Sequence, residues 1–155
     1  MQKKSAGILA WKLDDGLKLL LVHPGGPIFA GKEKGVWSIP KGEFEEDEDP
    51  LAAAKREFAE EVGAVIDGDF VALGDTRQKS GKIVYAWAIN PDQDIVFSGS
   101  NLFTMQWPPR SGKMQEFPEV DRAEWVTTGR AKELLNPAQV VFVERLAALL
   151  GRGSE

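Results

Sequence analysis

The stretch from Asp49 to Gly63 limits the fold of this chain more than any other part of it. Asp49 is a good helix N-cap, because its side chain can accept from a free backbone N–H. Pro50 suits the first helical position, where a missing N–H costs nothing. Leu51, Ala54, Phe58 and Val62 recur at helical spacing as one apolar stripe, and Gly63 stands where a left-handed C-terminal cap belongs. The predicted helix therefore has a start, a stop and a face to bury. Its polar face is unusual. Glu57, Glu60 and Glu61 stand at i, i+3 and i+4 and share an arc of roughly 100°. They also occupy the last two turns, the negative end of the helix dipole. There each exposed acid costs about 0.3–1 kcal/mol, and repulsion at i, i+4 adds a few tenths more. One reading is a solvated acidic face. The other is a site for a hard divalent cation such as Mg²⁺, which takes oxygen ligands from a few carboxylates and from substrate phosphates. Helical spacing alone does not choose between them.

Elsewhere the period is closer to two. Residues 7–13 and 17–22, joined by Asp14-Asp15-Gly16, read as a hairpin whose turn tolerates positive φ. His23 to Pro27 ends the second strand. A loop runs to Gly35, followed by a short apolar piece at 36–39 and a predicted turn at Pro40-Lys41-Gly42. Residues 43–49 hold six carboxylates in seven positions. After the helix, residues 70–75, 83–89 and 103–107 read as strands, with Gly81 turning the first into the second, and Trp125-Val126 as another short strand. Residues 137–150 form a closing amphipathic helix, with Val140, Phe142, Val143, Leu146, Leu149 and Leu150 mostly inward. Many strands and a few covering helices place the chain in the α/β (α+β) class, as one layered domain over residues 1–155.

Charge and composition narrow the function. Lys plus Arg is 19 against 24 acids, a net charge of −5, which argues against a nucleic-acid polymer as partner. A phosphorylated small molecule stays open, because a metal ion can bring the positive charge. Without cysteine there is no zinc finger, thiol catalysis or iron–sulfur ligation. No apolar run approaches the roughly 18–20 residues of a membrane span, and Lys12, Asp14 and Asp15 come too early for a signal peptide. No membrane association and a cytoplasmic location are the expectations.

The acidic helix has a longer pattern around it. Gly42, Glu48, Arg56-Glu57-Phe58, Glu60-Glu61 and Gly63-Ala64 stand at the spacing of the complete Nudix box, and the chain resembles the Nudix hydrolases. Only Ala64 departs from the pattern, being smaller than the usual bulky aliphatic residue. The resemblance implies an α/β/α sandwich with a mixed central β-sheet. It implies Mg²⁺-dependent hydrolysis (Mn²⁺ as a possible substitute) of a diphosphate linkage in a nucleoside polyphosphate, of the nucleoside triphosphate or dinucleoside polyphosphate type. It further implies that Glu57 and Glu61 bind the metal, with Glu60 as third ligand or water-activating base and the Lys41 carbonyl beside them. Arg56 would orient a carboxylate by pairing with Glu60 or with Glu48. The run Trp37-Ser38-Ile39-Pro40-Lys41-Gly42-Glu43 is similar to that of dinucleoside polyphosphate and diphosphoinositol polyphosphate hydrolases. A Nudix-fold module that binds a nucleotide without cleaving it is the alternative, although such modules usually lose box carboxylates.

Outside the box, the family resemblance suggests one further acid before a late aromatic residue: Glu119, six residues before Trp125, with Glu116 as competitor. Phosphate contacts need cations away from the acidic face, and Lys41, Arg77, Lys79, Lys82, Arg110 and Lys113 are the candidates. The last two follow Trp107-Pro108-Pro109, a stiff segment with a flexible basic tip. Trp37, Tyr85, Phe103 and Trp107 could stack a base. Gly26 to Lys32 imitates a P-loop, but Glu33 follows where Ser or Thr would bind Mg²⁺. His23, the lone histidine, reads as structural.

Overall fold

A computed structural model of the chain describes residues 3–152. In order along the chain it contains β1 (Lys4–Leu13), β2 (Leu17–Pro24), β3 (Lys41–Glu43), α1 (Pro50–Val62), β4 (Val71–Arg77), β5 (Ile83–Ile89), β6 (Leu102–Gln106), β7 (Met114–Pro118), β8 (Val120–Thr127), α2 (Thr128–Leu134), a 3₁₀ turn at Pro137–Gln139 and α3 (Val140–Leu149). Five strands run in the order β4-β5-β1-β2-β8, and β3 joins at β1. β1 and β5 are parallel while the other pairs are antiparallel, so the sheet is mixed. β6 and β7 form a separate two-stranded ribbon.

Side-chain alternation divides the core in two. Ala6, Ile8 and Ala10 of β1 and Leu20 and Val22 of β2 meet Ala53, Ala54, Phe58 and Val62 of α1. Leu9, Leu19 and Leu21 point to the other face and meet Leu134, Phe142, Val143 and Leu146 from α2 and α3. With period-two strands between two helical layers, the fold is the α/β/α sandwich expected.

The ends of α1 are as the sequence implies. Asp49 accepts from Ala52 N–H at 3.0 Å, and Gly63 adopts φ 79° with its N–H on the Ala59 carbonyl. Asp49→Ala should lower stability by about 1 kcal/mol, seen as a lower urea midpoint at unchanged slope.

Three expectations need correction. Lys41-Gly42 is strand rather than turn: β3 pairs Gly7↔Lys41, Ala6↔Gly42 and Ser5↔Glu43. The approach depends on Gly7, where an added Cβ would stand 2.7 Å from the Pro40 carbonyl oxygen. The strand at Trp125-Val126 is longer, Val120–Thr127, because it pairs with β2 from Lys18 to Pro24. The closing helix starts at Val140 after the 3₁₀ turn, and Leu149 is exposed. β7 and α2 escaped the sequence reading. β7 carries no apolar alternation, and α2 is a seven-residue helix capped by Thr127.

Candidate active site

The site is built where the C-terminal half of α1 crosses β3. Gly42 makes the contact possible: a Cβ there would lie 2.0 Å from Glu57 Cδ. Its φ is not left-handed, so glycine serves here for clearance rather than for the predicted turn. The pairing around Gly7↔Lys41 directs the next contact. Ile8 N–H donates to the Pro40 carbonyl at 3.1 Å, which makes Gly7↔Lys41 a non-hydrogen-bonded pair. The N–H and C=O of Lys41 therefore face away from β1, and the N–H donates to Glu61 Oε1 at 3.0 Å.

The end of α1 also fixes the far wall. Ser98 N–H and Oγ donate to the carbonyls of Val62 and Gly63, and Asn101 N–H donates to the Glu60 carbonyl at 2.9 Å. These satisfy carbonyls that a helix end leaves without partners. The Asn101 carbonyl in turn accepts from Glu119 N–H at 2.9 Å. The backbone relay from Glu60 through Asn101 thus brings Glu119 beside a helix distant in sequence.

The resulting cleft has a volume of about 370 Å³ and is lined by Glu57, Glu60, Glu61 and Glu119, with Lys41, Lys82, Glu43, Ser5, Gly42 and Asn101 completing it. Burial pushes the Glu61 carboxyl up to about 8, with Glu57 and Glu119 adding to the rise and the Lys41 N–H and ammonium opposing it. Burial also raises Glu57, reinforced by Glu60 and Glu119 and opposed by Arg56. The Lys41 ammonium is lowered by burial and then by Lys82, against the pull of Glu61, Glu43 and Glu57. Arg56 pairs with Glu48 and lies 3.5 Å from Glu57, and the pair with Glu48 is the stronger influence on it. Lys82 Nζ is 3.0 Å from Glu43.

The donor set fits a hard divalent cation: several carboxylates and one outward-facing backbone carbonyl, all oxygen. Among the described residues, no three acidic or imidazole side chains are already gathered around one point. Like charges at 4 Å repel by about 4 kcal/mol at an effective dielectric near 20, so a polyphosphate entering beside ionised carboxylates needs a cation between them.

The remaining candidates divide. Glu116 is exposed on β7, opposite Thr104, and does not line the cleft. Arg77 and Lys79 lie at the end of β4 and the turn after it, while Trp107, Arg110 and Lys113 are at the tip of the β6–β7 ribbon. All five are absent from the cleft walls; the ribbon tip closes on its own strands, with Arg110 N–H donating to Gln106 Oε1 at 3.1 Å. His23 is buried, with Nδ1 2.7 Å from Asp121 and Nε2 2.7 Å from the Lys32 carbonyl, a structural arrangement. The segment 26–32 is turns and no helix follows it.

A second, smaller cavity of about 230 Å³ adjoins the first, and Lys41, Glu61 and Glu119 line both. Trp37, Val36 and Phe29 give it apolar walls; Gln78, Asn136 and Gln139 add amides. The sequence reading singled out Trp37 but none of the amides.

Comparison with known proteins places these features in a family. The family model described as NUDIX domain matches residues 1–146. No curated protein matches the chain. Among solved structures, an Ap4A hydrolase of C. elegans, as a binary complex, is 20% identical over 95% of this chain and 98% of its own, with a TM-score of 0.65. The NUDIX domain of Shewanella oneidensis NrtR, complexed with ADP ribose, is 16% identical over 97% and 89%, with a TM-score of 0.66. The E. coli ORF135 protein is 26% identical over 99% and 96%, with a TM-score of 0.57. Structural likeness at such identities speaks for the fold; the family model, spanning most of the chain and including the box from Gly42 to Ala64, decides membership. The chain belongs to the NUDIX domain family, hydrolases acting on pyrophosphate bonds.

Proposed function

We propose that the chain is a Mg²⁺-dependent pyrophosphohydrolase that cleaves a diphosphate linkage in a nucleoside polyphosphate, of the triphosphate or dinucleoside polyphosphate type. The observation that carries this reading is the convergence of Glu57, Glu60, Glu61 and Glu119 with Lys41 and Lys82 on one cleft. The Ap4A hydrolase among similar folds supports a nucleotide of this kind, and the ADP-ribose complex supports a nucleotide with a diphosphate linkage.

In this reading Glu57, Glu61 and the Lys41 carbonyl would hold the cation, with Glu60 as a further ligand. A bound Mg²⁺ neutralises phosphate charge and lowers the pKa of water. Arg56, fixed by Glu48, holds the Glu57 carboxylate in place. Glu119, on the opposite wall, receives the proton of the attacking water. Lys82, exchanging Glu43 for a phosphate oxygen, binds the end of the polyphosphate away from the carboxylates. Positioning and charge complementarity supply most of the rate, as in phosphoryl transfer generally.

A panel of nucleoside triphosphates, dinucleoside polyphosphates, nucleoside diphosphate sugars and a diphosphoinositol polyphosphate, assayed with Mg²⁺ and with product identification, tests the proposal. A nucleoside polyphosphate should be cleaved between phosphates, and EDTA should abolish the reaction. Tight binding of a nucleotide with no cleavage of any panel member would mark a binding module instead.

A further inference from the structure

The smaller cavity has a fixed hydrogen-bond polarity. Ile39 N–H donates to Gln139 Oε1 at 2.9 Å, and a backbone N–H can only donate, so the Gln139 carboxamide oxygen must face it. Gln139, wholly buried, therefore turns its NH₂ the other way, to Gln78 Oε1 at 3.0 Å and Ser38 Oγ at 3.1 Å. Ser38 Oγ can accept there because its own proton goes to the Ile39 carbonyl at 2.6 Å. With its oxygen turned towards Gln139, Gln78 turns its NH₂ the other way, and the residue lines the cavity. Asn136 arrives at the same state separately. Its Oδ1 accepts from Ala138 N–H at 3.1 Å as the cap of the 3₁₀ turn, which leaves its NH₂ free. No acceptor among the described residues meets the NH₂ of Gln78 or of Asn136.

The cavity therefore presents amide donors from Gln78 and Asn136, which line it and not the carboxylate cleft, in a space of about 230 Å³ with aromatic walls. From this polarity we infer that Gln78 and Asn136 are specificity-determining residues that select a base carrying an oxo edge, a 6-oxopurine over a 6-aminopurine. Guanine and hypoxanthine offer O6 beside N7, two adjacent acceptors, where adenine offers an amino group that would meet NH₂ with NH₂. Donors left facing a donor lose their hydration without replacement, and this penalty drives the discrimination. Gln139 acts through Gln78 and is a positioning residue.

The inference rests on the nucleotide reading above, and the experiment separates the two. kcat/KM with Mg²⁺ is measured for guanosine, inosine and adenosine 5′-triphosphates, and affinity for the same nucleotides is measured calorimetrically. Guanosine and inosine should both exceed adenosine by about tenfold or more, inosine showing that O6 rather than the 2-amino group is read. Gln78→Glu retains an oxygen for Gln139 and turns the donor into an acceptor. It should move the guanosine-to-adenosine ratio about tenfold towards adenosine, whatever its effect on absolute rates. Asn136→Asp, which keeps the cap, should move the ratio the same way. A wild-type ratio near one, a preference for adenosine, a Gln78→Glu ratio equal to wild type, or no binding of any of the three overturns the inference. Oxo-selective binding of the three triphosphates supports it even where no member of the wider panel is cleaved, an outcome that overturns the hydrolase reading alone.

Discussion

Glu61→Gln should lower kcat by about a thousandfold or more while the protein remains folded. The substitution is nearly isosteric, and a glutamine Oε1 can still accept from Lys41 N–H, so the α1–β3 contact survives. What it loses is the charge that a cation needs. Steady-state kinetics at saturating Mg²⁺, alongside a thermal melt, check both halves. A fully active variant would remove Glu61 from the machinery, and an unfolded one would make its role structural.

The same carboxyl governs a pH dependence with a definite sign. Burial raises Glu61 from its ordinary 4.5 to about 8, so between these values the native state holds a proton that the unfolded chain has lost. The contribution of Glu61 to the stability of the metal-free protein is therefore fully present below pH 4.5 and is lost as pH rises towards 8, by a few kcal/mol at most. Glu57, shifted the same way, adds to the slope. Melts from pH 5 to 8 in EDTA should show the decline, and Glu61→Gln should flatten it.

Gly42→Ala should cost about a hundredfold in kcat, an effect surprising for one methyl group. A Cβ at Gly42 would stand 2.0 Å from Glu57 Cδ, and the next nearest atoms are the two Glu57 carboxylate oxygens. The methyl must push that carboxylate off β3, and a displacement of about 1 Å in a catalytic group costs on the order of 10²-fold. Because the far end of a flexible side chain yields rather than backbone, the fold should persist. Kinetics and a melt on Gly42→Ala test this; unchanged kcat would show that the position of Glu57 is uncritical.

Local features were legible in the sequence and long-range ones were not. The bounds of α1 follow from Asp49, Pro50 and Gly63, each acting within a few residues of itself, and its apolar stripe foretold the buried face. The shared face of Glu57, Glu60 and Glu61 follows from helical geometry, and their common cleft agrees with it. Glu119 was separated from Glu116 only by spacing. The structural reason, a backbone relay through Asn101 to the end of α1, joins residues far apart in sequence. Gly42 reads in the sequence as part of a turn, whereas its purpose is clearance for a side chain fifteen positions later. The cations at Arg110 and Lys113 looked poised over a substrate because sequence does not tell which way a ribbon leaves the sheet. The Gln78–Gln139–Ser38 network gave no signal at all. Its members are 61 and 101 residues apart and have no motif in common.

Titration of Mn²⁺ into the protein, followed by the loss of the free-ion electron paramagnetic resonance signal, tests most directly whether the acidic end of α1 is a metal site. Wild type should bind the ion, and Glu57→Gln/Glu61→Gln should weaken binding at least tenfold. Equal binding by the two proteins would show that these carboxylates are a solvated face.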